Sequence, residues 1–230
     1  SQSSFFSLFN LFAGEMSNGS HKKILLPIVP EYIGYADQGI TDDMFVSIKP
    51  KIQMLDDKQF KYQINFEELI SVVKSSNIGA ICISRPTNPT GNVITDDELN
   101  QLDSIAQEYG VPLIIDNAYG QPFPGAIYTQ ASLKWNANII LCMSLSKLGL
   151  PGLRTGIVIA NHGTIEALSR ISGIMALAPS SVGPSLLTRM IKDQELLRLC
   201  QEVIRPYYEE KATTAVSLFN TILADTDVYL

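Results

Sequence analysis

The sequence is poor in charge, cysteine and long apolar runs, and each shortage argues against a class of protein. Charged residues are 17% of the 230 positions, against about 25% in an average soluble domain. The 17 basic and 23 acidic residues give a net charge of −6, which disfavours nucleic-acid binding. The three cysteines, Cys82, Cys142 and Cys200, form no CxxC pair. This argues against a disulfide framework or a zinc ribbon and favours a reducing compartment, the cytoplasm. No apolar run approaches the roughly 18 residues of a membrane span.

Length and chain ends indicate one large domain and part of another. A chain of 230 residues suggests roughly one and a half domains, and 46% hydrophobic residues supply ample material for a core. The chain starts at Ser1 directly in an apolar pattern and stops at residues 227–230, DVYL. That ending resembles the first half of a strand without a partner. We therefore expect a piece of a longer protein, truncated at both ends.

Short apolar runs alternate with amphipathic patterns along the chain. Runs at 23–29, 78–84, 111–116, 138–143 and 156–160 predict buried strands. Short apolar strands separated by helices are typical of a mostly parallel sheet covered on both faces. The fold class predicted is therefore α/β, with three layers, α/β/α.

Two capping-box patterns predict where helices begin. Asn65 precedes Glu68 by three residues, and Thr95 precedes Glu98 in the same way, as in the reciprocal cap at a helix N-terminus. Gly110 is suited to end the second of these helices. Other helical patterns are the apolar positions Phe5, Leu8, Phe9 and Phe12, and residues 164–176, 185–192 and much of 195–223.

Polar side chains follow three of the predicted strands. In parallel sheets ligands bind beyond the carboxyl ends of the strands, so these side chains are candidates for a site. Each has an ordinary explanation when taken alone: Asn-Pro marks a turn, a terminal Asp caps the next helix, and a loop lysine is usually solvated. They become informative together: Asn88 follows the first strand, Asp116 and Tyr119 the second, and Ser144, Ser146, Lys147 and Arg154 the third.

This set of groups suits pyridoxal phosphate (PLP) chemistry. A lysine amine can bond to the cofactor aldehyde. A carboxylate beside the pyridine nitrogen keeps that nitrogen protonated, and amide and phenol donors can bind the ring oxygen. Hydroxyls, an arginine and helix N-terminal N–H groups can hold the phosphate.

The sequence resembles the fold-type I PLP-dependent aminotransferases. The resemblance is carried by NPTG at 88–91, DNAY at 116–119, SLSK at 144–147 and Arg154, in the family's order and approximate spacing. It covers most of the chain. Beyond these motifs, the stretches around them most resemble members of the family that use valine and pyruvate.

The resemblance implies a role for each motif residue. Lys147 would bond to the cofactor and then act as the base that moves the substrate's α-proton. Asp116 would pair with the pyridinium nitrogen, while Asn88 and Tyr119 would bind the ring oxygen. The phosphate would be bound by Ser144, Ser146 and Arg154.

Three residues nearer the N-terminus complete the predicted cofactor site. By resemblance, Ser1 and Gln2 match part of a second phosphate-binding turn at the start of the first helix, where free N–H groups favour an anion. Tyr32 matches the aromatic ring that stacks on the cofactor, although an ordinary packing tyrosine remains the alternative. No metal site is predicted.

The resemblance also implies domains, partners and an activity. Residues 1–205 would form the PLP-binding large domain, and 206–230 a connecting helix and the start of a small domain. In the family, the small domain supplies an arginine for the substrate carboxylate, so we expect this chain alone to be inactive or nearly so. The expected reaction transfers an amino group from an amino acid such as valine or alanine to a 2-oxo acid such as pyruvate, in a homodimer.

Other interpretations stay open at this point. Ser144 to Lys147 is also an S-x-x-K, as in serine β-lactamases, but neither SDN nor KTG occurs and Ser144 follows a predicted strand. A transcription regulator with an aminotransferase-like domain would sense PLP or an amino acid without catalysis. A PLP-dependent lyase would share both fold and cofactor residues.

Overall fold

The computed structural model describes residues 2–55 and 58–230. The strands are β1 Gly14–Glu15, β2 His21–Leu26, β3 Phe45–Ser47, β4 Lys51–Met54, β5 Phe60–Gln63, β6 Ile78–Ser84, β7 Leu113–Asp116, β8 Ile139–Ser144 and β9 Gly156–Ile159. The helices are α1 Gln2–Phe12, α2 Phe66–Ser75, α3 Asp96–Glu108, α4 His162–Ala176, α5 Val182–Lys192, α6 Glu195–Leu199 and α7 Arg205–Ile222. Short 3-10 turns cover Ile33–Gln38, Ser146–Leu148 and Pro151–Leu153, and a π-helical turn covers Cys200–Ile204.

The predicted sheet is confirmed as mostly parallel. Its strands follow the order β2, β6, β7, β8 and β9, with β1 and β3 also paired to β2. The first four of these run parallel, and β9 is antiparallel to β8. Two predicted runs are longer than the strands: β2 ends before Pro27 and β7 begins after Pro112, because proline has no N–H to donate to a ladder. The hairpin of β4 and β5 was not predicted.

Helices cover both faces of the sheet, which confirms the α/β class and the three layers. Alternate side chains of β6 point to opposite faces. Ile81 and Ile83 pack in one core cluster with residues of α2 and α3. Ala80 and Cys82 pack in the other cluster with residues of α1.

The two predicted capping boxes have different outcomes. Thr95 accepts a bond from the Glu98 N–H and the Glu98 carboxylate accepts one from the Thr95 N–H, so that box is formed. Gly110 follows α3 with φ 65°, as predicted for a terminating glycine. The box at Asn65 is wrong. The Asn65 side chain makes no cap bond and instead donates its amide to the Glu68 carboxylate, at 3.0 Å.

The C-terminal third is a run of helices from α4 to α7. The closing residues are not a strand, and the expected lack of a partner is wrong: Leu230 donates to the Lys58 carbonyl and accepts from the Phe60 N–H, each at 2.9 Å. The predicted domain boundary after residue 205 falls at the start of α7 and stays a prediction. Among the described residues, no helix is both long and apolar enough to cross a membrane.

Candidate active site

Three strand ends meet at one edge of the sheet. Strands β6, β7 and β8 are adjacent and parallel: Ser84 pairs with Asp116, Asp116 pairs with Cys142, and β8 continues from there to its last residue, Ser144. Ser84, Asp116 and Ser144 border a cavity of about 270 Å³. It is also lined by the following predicted cofactor residues: Gln2, Tyr32, Asn88, Tyr119, Ser146, Lys147 and Arg154. Of the ten residues predicted for the cofactor, only Ser1 is not placed here, and it lies outside the described residues.

Asp116 is a buried residue whose carboxylate forms part of the cavity wall. Its Oδ2 accepts a bond from the Tyr35 hydroxyl at 2.8 Å, and its Oδ1 accepts one from the Ala118 N–H at 3.1 Å. Burial raises the pKa of the Asp116 carboxyl, while the bond from Tyr35, the N–H of Ala118 and the charge of Lys147 oppose that rise. The acid is therefore held in place and close to a lysine amine.

Lys147 lies in the 3-10 turn directly after β8. The turn is fixed by Leu145, which is buried and donates its N–H to the Thr155 carbonyl at 3.1 Å. The Lys147 side chain is exposed to the cavity, and its Nζ lies 5.0 Å from the centre of the Tyr119 ring. The amine of Lys147 is thus accessible from the cavity, while the backbone turn that carries it is held by the bond from Leu145 to Thr155.

Ser144, Ser146 and Arg154 form the candidate anion-binding group. The Ser146 N–H donates to the Ser144 hydroxyl oxygen at 3.2 Å. Arg154 has a left-handed backbone, φ 47°, and one guanidinium nitrogen donates to the Pro151 carbonyl at 3.2 Å. Arginine has five N–H donors, so its exposed guanidinium keeps donors for an anion in the cavity.

Asn88 is presented by a tight turn after β6. The Thr87 N–H donates to the Asn92 carbonyl at 2.8 Å, and Gly91, with φ 69°, donates to the Thr87 carbonyl at 2.7 Å. Behind the turn, the buried Arg85 guanidinium contacts the Ile94 and Ser132 carbonyls and the Asp96 carboxylate. Arg85 supports the turn and does not line the cavity.

Sequence reasoning missed several residues of this site, among them Tyr35, Glu31 and Ser84. Tyr35, Glu31 and Ser84 are buried at the strand ends, and Tyr35 and Ser84 line the cavity. The only local signals are the spacing of Tyr32 and Tyr35 and an acid between Pro30 and an aromatic residue. Neither signal reveals contacts with strand ends more than 50 residues away.

Glu31 is the second buried acid at these strand ends. Its carboxylate accepts bonds from the N–H and the hydroxyl of Ser84, each at 2.5 Å, and from the N–H of Tyr32 at 3.2 Å. Burial raises the pKa of Glu31 to about 7 against the effect of these bonds. Among the described residues, no cluster of three or more histidine, cysteine or acidic side chains could hold a metal ion.

Comparison with known proteins agrees with this geometry. The model of the family described as aminotransferase class I and II matches residues 49–229. The chain belongs to this aminotransferase family. It is 53% identical over 225 residues to the valine–pyruvate aminotransferase of Escherichia coli K12, covering 98% of this chain and 53% of that protein. The chain thus spans about half the length of that relative.

Two solved structures superpose on this chain, one at high and one at low sequence identity. The valine–pyruvate aminotransferase of Salmonella typhimurium LT2 superposes with a TM-score of 0.87 at 53% identity, covering 96% of this chain and 54% of that one. A PLP-bound C-S lyase of Staphylococcus hominis gives a TM-score of 0.70 at 16% identity, covering 97% and 55%. The second likeness shows the shared fold alone.

Proposed function

We propose that the protein is a PLP-dependent aminotransferase that moves an amino group between an aliphatic amino acid and pyruvate. The observation that carries the proposal is the convergence of Lys147, Asp116 and the group of Ser144, Ser146 and Arg154 on one cavity. The family membership and the identity to a valine–pyruvate aminotransferase support the reaction and its substrates.

The donor set of the cavity fits PLP. The cofactor combines a ring nitrogen, a ring oxygen, an aldehyde and a phosphate. The cavity wall holds a buried carboxylate, an amide and a phenol, an accessible amine, and two hydroxyls with a guanidinium. Each cofactor group therefore has a chemical partner in the cavity. The identity to an aminotransferase points the same way.

When bound, PLP supplies an electron sink that stabilises negative charge at the substrate's Cα. Asp116 would hold the proton on the ring nitrogen, and Asn88 and Tyr119 would bind the ring oxygen. Lys147 would hold the cofactor covalently at rest and carry the α-proton once the substrate has displaced it. Ser144, Ser146 and Arg154 would orient the cofactor through its phosphate, since a guanidinium grips two oxygens at once.

Apart from Lys147 and Arg154, which we assign to the cofactor, no cationic side chain of the described residues lines this cavity to bind the substrate carboxylate. Among the described residues, Arg154 is the single arginine that lines the cavity, and we assign it to the phosphate. Orienting the substrate contributes much of the rate in such reactions. We therefore propose that the chain by itself binds PLP but transaminates slowly or not at all.

We further propose a homodimer in the cytoplasm, with residues 1–205 as the cofactor domain. Ile174 and Leu177 are 86% and 89% exposed at the end of α4, and burying such side chains favours association. The three free cysteines are buried and unpaired in the part of the chain that the structure describes, which suits a reducing compartment. Analytical ultracentrifugation tests the dimer.

The cofactor assignment is tested by incubating the protein with PLP, reducing it with borohydride and locating the label by mass spectrometry. We expect a visible absorption band and a label on Lys147, both lost in Lys147→Ala. Lys192→Ala, at an exposed lysine of α5, should keep both. A wild-type protein without label, or labelled elsewhere, contradicts the proposal.

The reaction is tested in a longer polypeptide that contains the carboxylate-binding arginine, by supplying valine together with pyruvate and following the 2-oxo acid formed from valine. Transfer predicts that added pyruvate gains the amino group and that no ammonia is released. Release of ammonia would instead indicate a lyase. Binding of amino acids without any turnover, in a polypeptide that contains the carboxylate-binding arginine, would favour the sensor interpretation.

A further inference from the structure

The segment from Glu31 to Tyr35 is bound to two neighbouring strand ends at once. Glu31 accepts two hydrogen bonds from Ser84, the last residue of β6, each at 2.5 Å. Tyr35 donates to Asp116, the last residue of β7, at 2.8 Å. Ser84 and Asp116 are paired residues in the register of these two strands. The segment therefore closes a ring of bonds across the carboxyl edge of the sheet.

Tyr32 lies between these two anchors and lines the cavity. Its ring packs edge-on against Tyr35, with 5.4 Å between ring centres. It also lies so close to Gly34 that a Cβ there would come within 2.5 Å of the Tyr32 ring. The ring is thus confined on two sides by its own segment, and its position in the cavity depends on where the segment is fastened.

Of the two side chains that bind this segment to the strand ends, Glu31 is the one that also bonds to Tyr32 itself. Its Oε2 accepts from the Tyr32 N–H at 3.2 Å as well as from the Ser84 hydroxyl. The Glu31 side chain is buried, with 8% of the residue exposed. A buried carboxyl is costly unless its hydrogen bonds are made. Loss of this carboxyl frees the backbone of Tyr32 from the strand end and leaves the donors of Ser84 without their acceptor.

We propose that Glu31 is a positioning residue of the cofactor pocket, which keeps the Tyr32 ring in the cavity wall by linking the Tyr32 backbone N–H to Ser84. This inference rests on the proposed function for the identity of the cofactor. The claim about the position of Tyr32 concerns the protein without cofactor as well, and it can be tested there.

The first readout is 19F NMR of the PLP-free protein labelled with 3-fluorotyrosine. The Tyr32 signal is assigned by its absence in Tyr32→Phe. We expect Glu31→Ala to shift or broaden that signal. Glu31→Gln should restore it in part, because the amide oxygen can accept from the Tyr32 N–H and the Ser84 hydroxyl in place of Oε2, whereas the amide NH2 cannot accept from the Ser84 N–H. Asp103→Asn is the matched control: Asp103 is a buried acid of α3 that binds Lys134 and Asn136 and does not line the cavity.

The second readout is the dissociation constant of PLP. Loss of the hydrogen bonds of a buried carboxyl predicts weakening by about tenfold in Glu31→Ala. Glu31→Gln and Asp103→Asn should stay within about threefold of the wild type. A rescue by the amide that the alanine does not show separates positioning from a general loss of stability.

An unchanged Tyr32 signal together with unchanged PLP affinity in Glu31→Ala overturns the inference. If Glu31→Ala does not fold, Glu31→Asp takes its place, since its shorter side chain cannot keep the contacts with both donors of Ser84, and an unmoved Tyr32 signal there overturns the inference equally. If the wild-type protein does not bind PLP at all, the proposed function fails, and the Tyr32 signal alone still decides the role of Glu31.

Discussion

Tyr35 donates its hydroxyl hydrogen to Asp116 across 81 positions of sequence, with 2.8 Å between the two oxygens. Both residues are buried, so this bond is shielded from water. It fixes one oxygen of the acid that we assign to the cofactor nitrogen. The ring of Tyr35 also packs on Phe5 and Phe9 of α1, at 5.3 Å from each. The acid is therefore linked to the helix that covers the other side of the pocket.

Tyr35→Phe should destabilise the PLP-free protein by about 2 kcal/mol, because it leaves a buried carboxylate oxygen without its donor. It should also weaken PLP binding several-fold. Urea unfolding and PLP titration check the two effects. The control is Tyr62→Phe, since the Tyr62 hydroxyl makes no hydrogen bond within the described residues. Equal effects of the two variants would show that the bond to Asp116 contributes nothing specific.

Stability should fall as the pH rises through the range set by Glu31. The pKa of this carboxyl is about 7 in the native protein against a usual 4.5. Between these values the native state keeps a proton that the unfolded chain has lost, so the free energy of unfolding decreases with pH. Over the whole pH range between these two pKa values, the free energy of unfolding should decrease by about 3 kcal/mol. The titratable groups around Glu31 are Asp116, Tyr35 and Cys82.

The measurement is urea unfolding of the PLP-free protein at about pH 5 and about pH 8. Glu31→Gln cannot titrate, so its free energy of unfolding relative to that of the wild type should increase from the lower to the higher pH. Asp116 and His21 also have raised pKa values and add slopes of the same sign. The difference between wild type and Glu31→Gln removes their contribution. A difference independent of pH would show that Glu31 does not titrate in this range.

Local signals were enough to predict much of the scaffold. The strand Ile78–Ser84 has its predicted bounds, because a fully apolar run can only be buried. Thr95 caps α3 as expected, but Asn65, in the same pattern, does not cap α2. An asparagine can donate as well as accept, and here it donates to Glu68. The pattern alone does not decide between these two uses of the amide.

The candidate site likewise contains residues that could be predicted from local sequence and residues that could not. Residues at the end of a strand or just after it, such as Asp116 and Lys147, could be named because the topology of a parallel sheet brings strand ends together. Glu31 and Tyr35 could not, since Tyr35 lies in a 3-10 turn and Glu31 just before it, and their partners are the ends of β7 and β6. Their function depends on contacts between distant parts of the chain, which no short pattern encodes.

Arg85→Lys should destabilise the protein by about 2 kcal/mol even though the charge is kept. Lysine has one nitrogen and cannot reach the Ile94 carbonyl, the Ser132 carbonyl and Asp96 together, as the guanidinium does. Arg170→Lys, in an exposed pair with Glu166, is the control and should have little effect. Both are compared by urea unfolding at neutral pH.

At acid pH, the difference in the free energy of unfolding between wild type and Arg85→Lys should become smaller. The hydrogen bond from Arg85 lowers the pKa of Asp96 to about 2 from its usual 3.8. A lowered native pKa means that the stabilisation is present at neutral pH and is lost as the pH falls through this window. A gap that stays constant in acid would assign the effect of Arg85 to the two carbonyls instead of the carboxylate.

Gly79→Ala should reduce both stability and cofactor binding, because α1 rests directly on this glycine. A Cβ at Gly79 would lie 1.7 Å from the carbonyl oxygen of Phe12 and 2.8 Å from its carbonyl carbon. These are backbone atoms at the end of α1, so the helix must move away from β6. We expect a loss of about 3 kcal/mol in urea unfolding. PLP affinity should fall as well, since Gln2 and Phe5 of α1 line the cavity.

The same substitution in α4 should have the opposite sign. Gly173 is exposed within α4, and nothing lies within 4 Å of a Cβ built there. Gly173→Ala should therefore stabilise the protein by up to about 1 kcal/mol through helix propensity alone and leave PLP affinity unchanged. Gly79→Ala could instead lower stability and leave PLP affinity unchanged. In that case the cavity would not depend on the position of α1 against β6, and Gln2 would have to be removed from the proposed phosphate site.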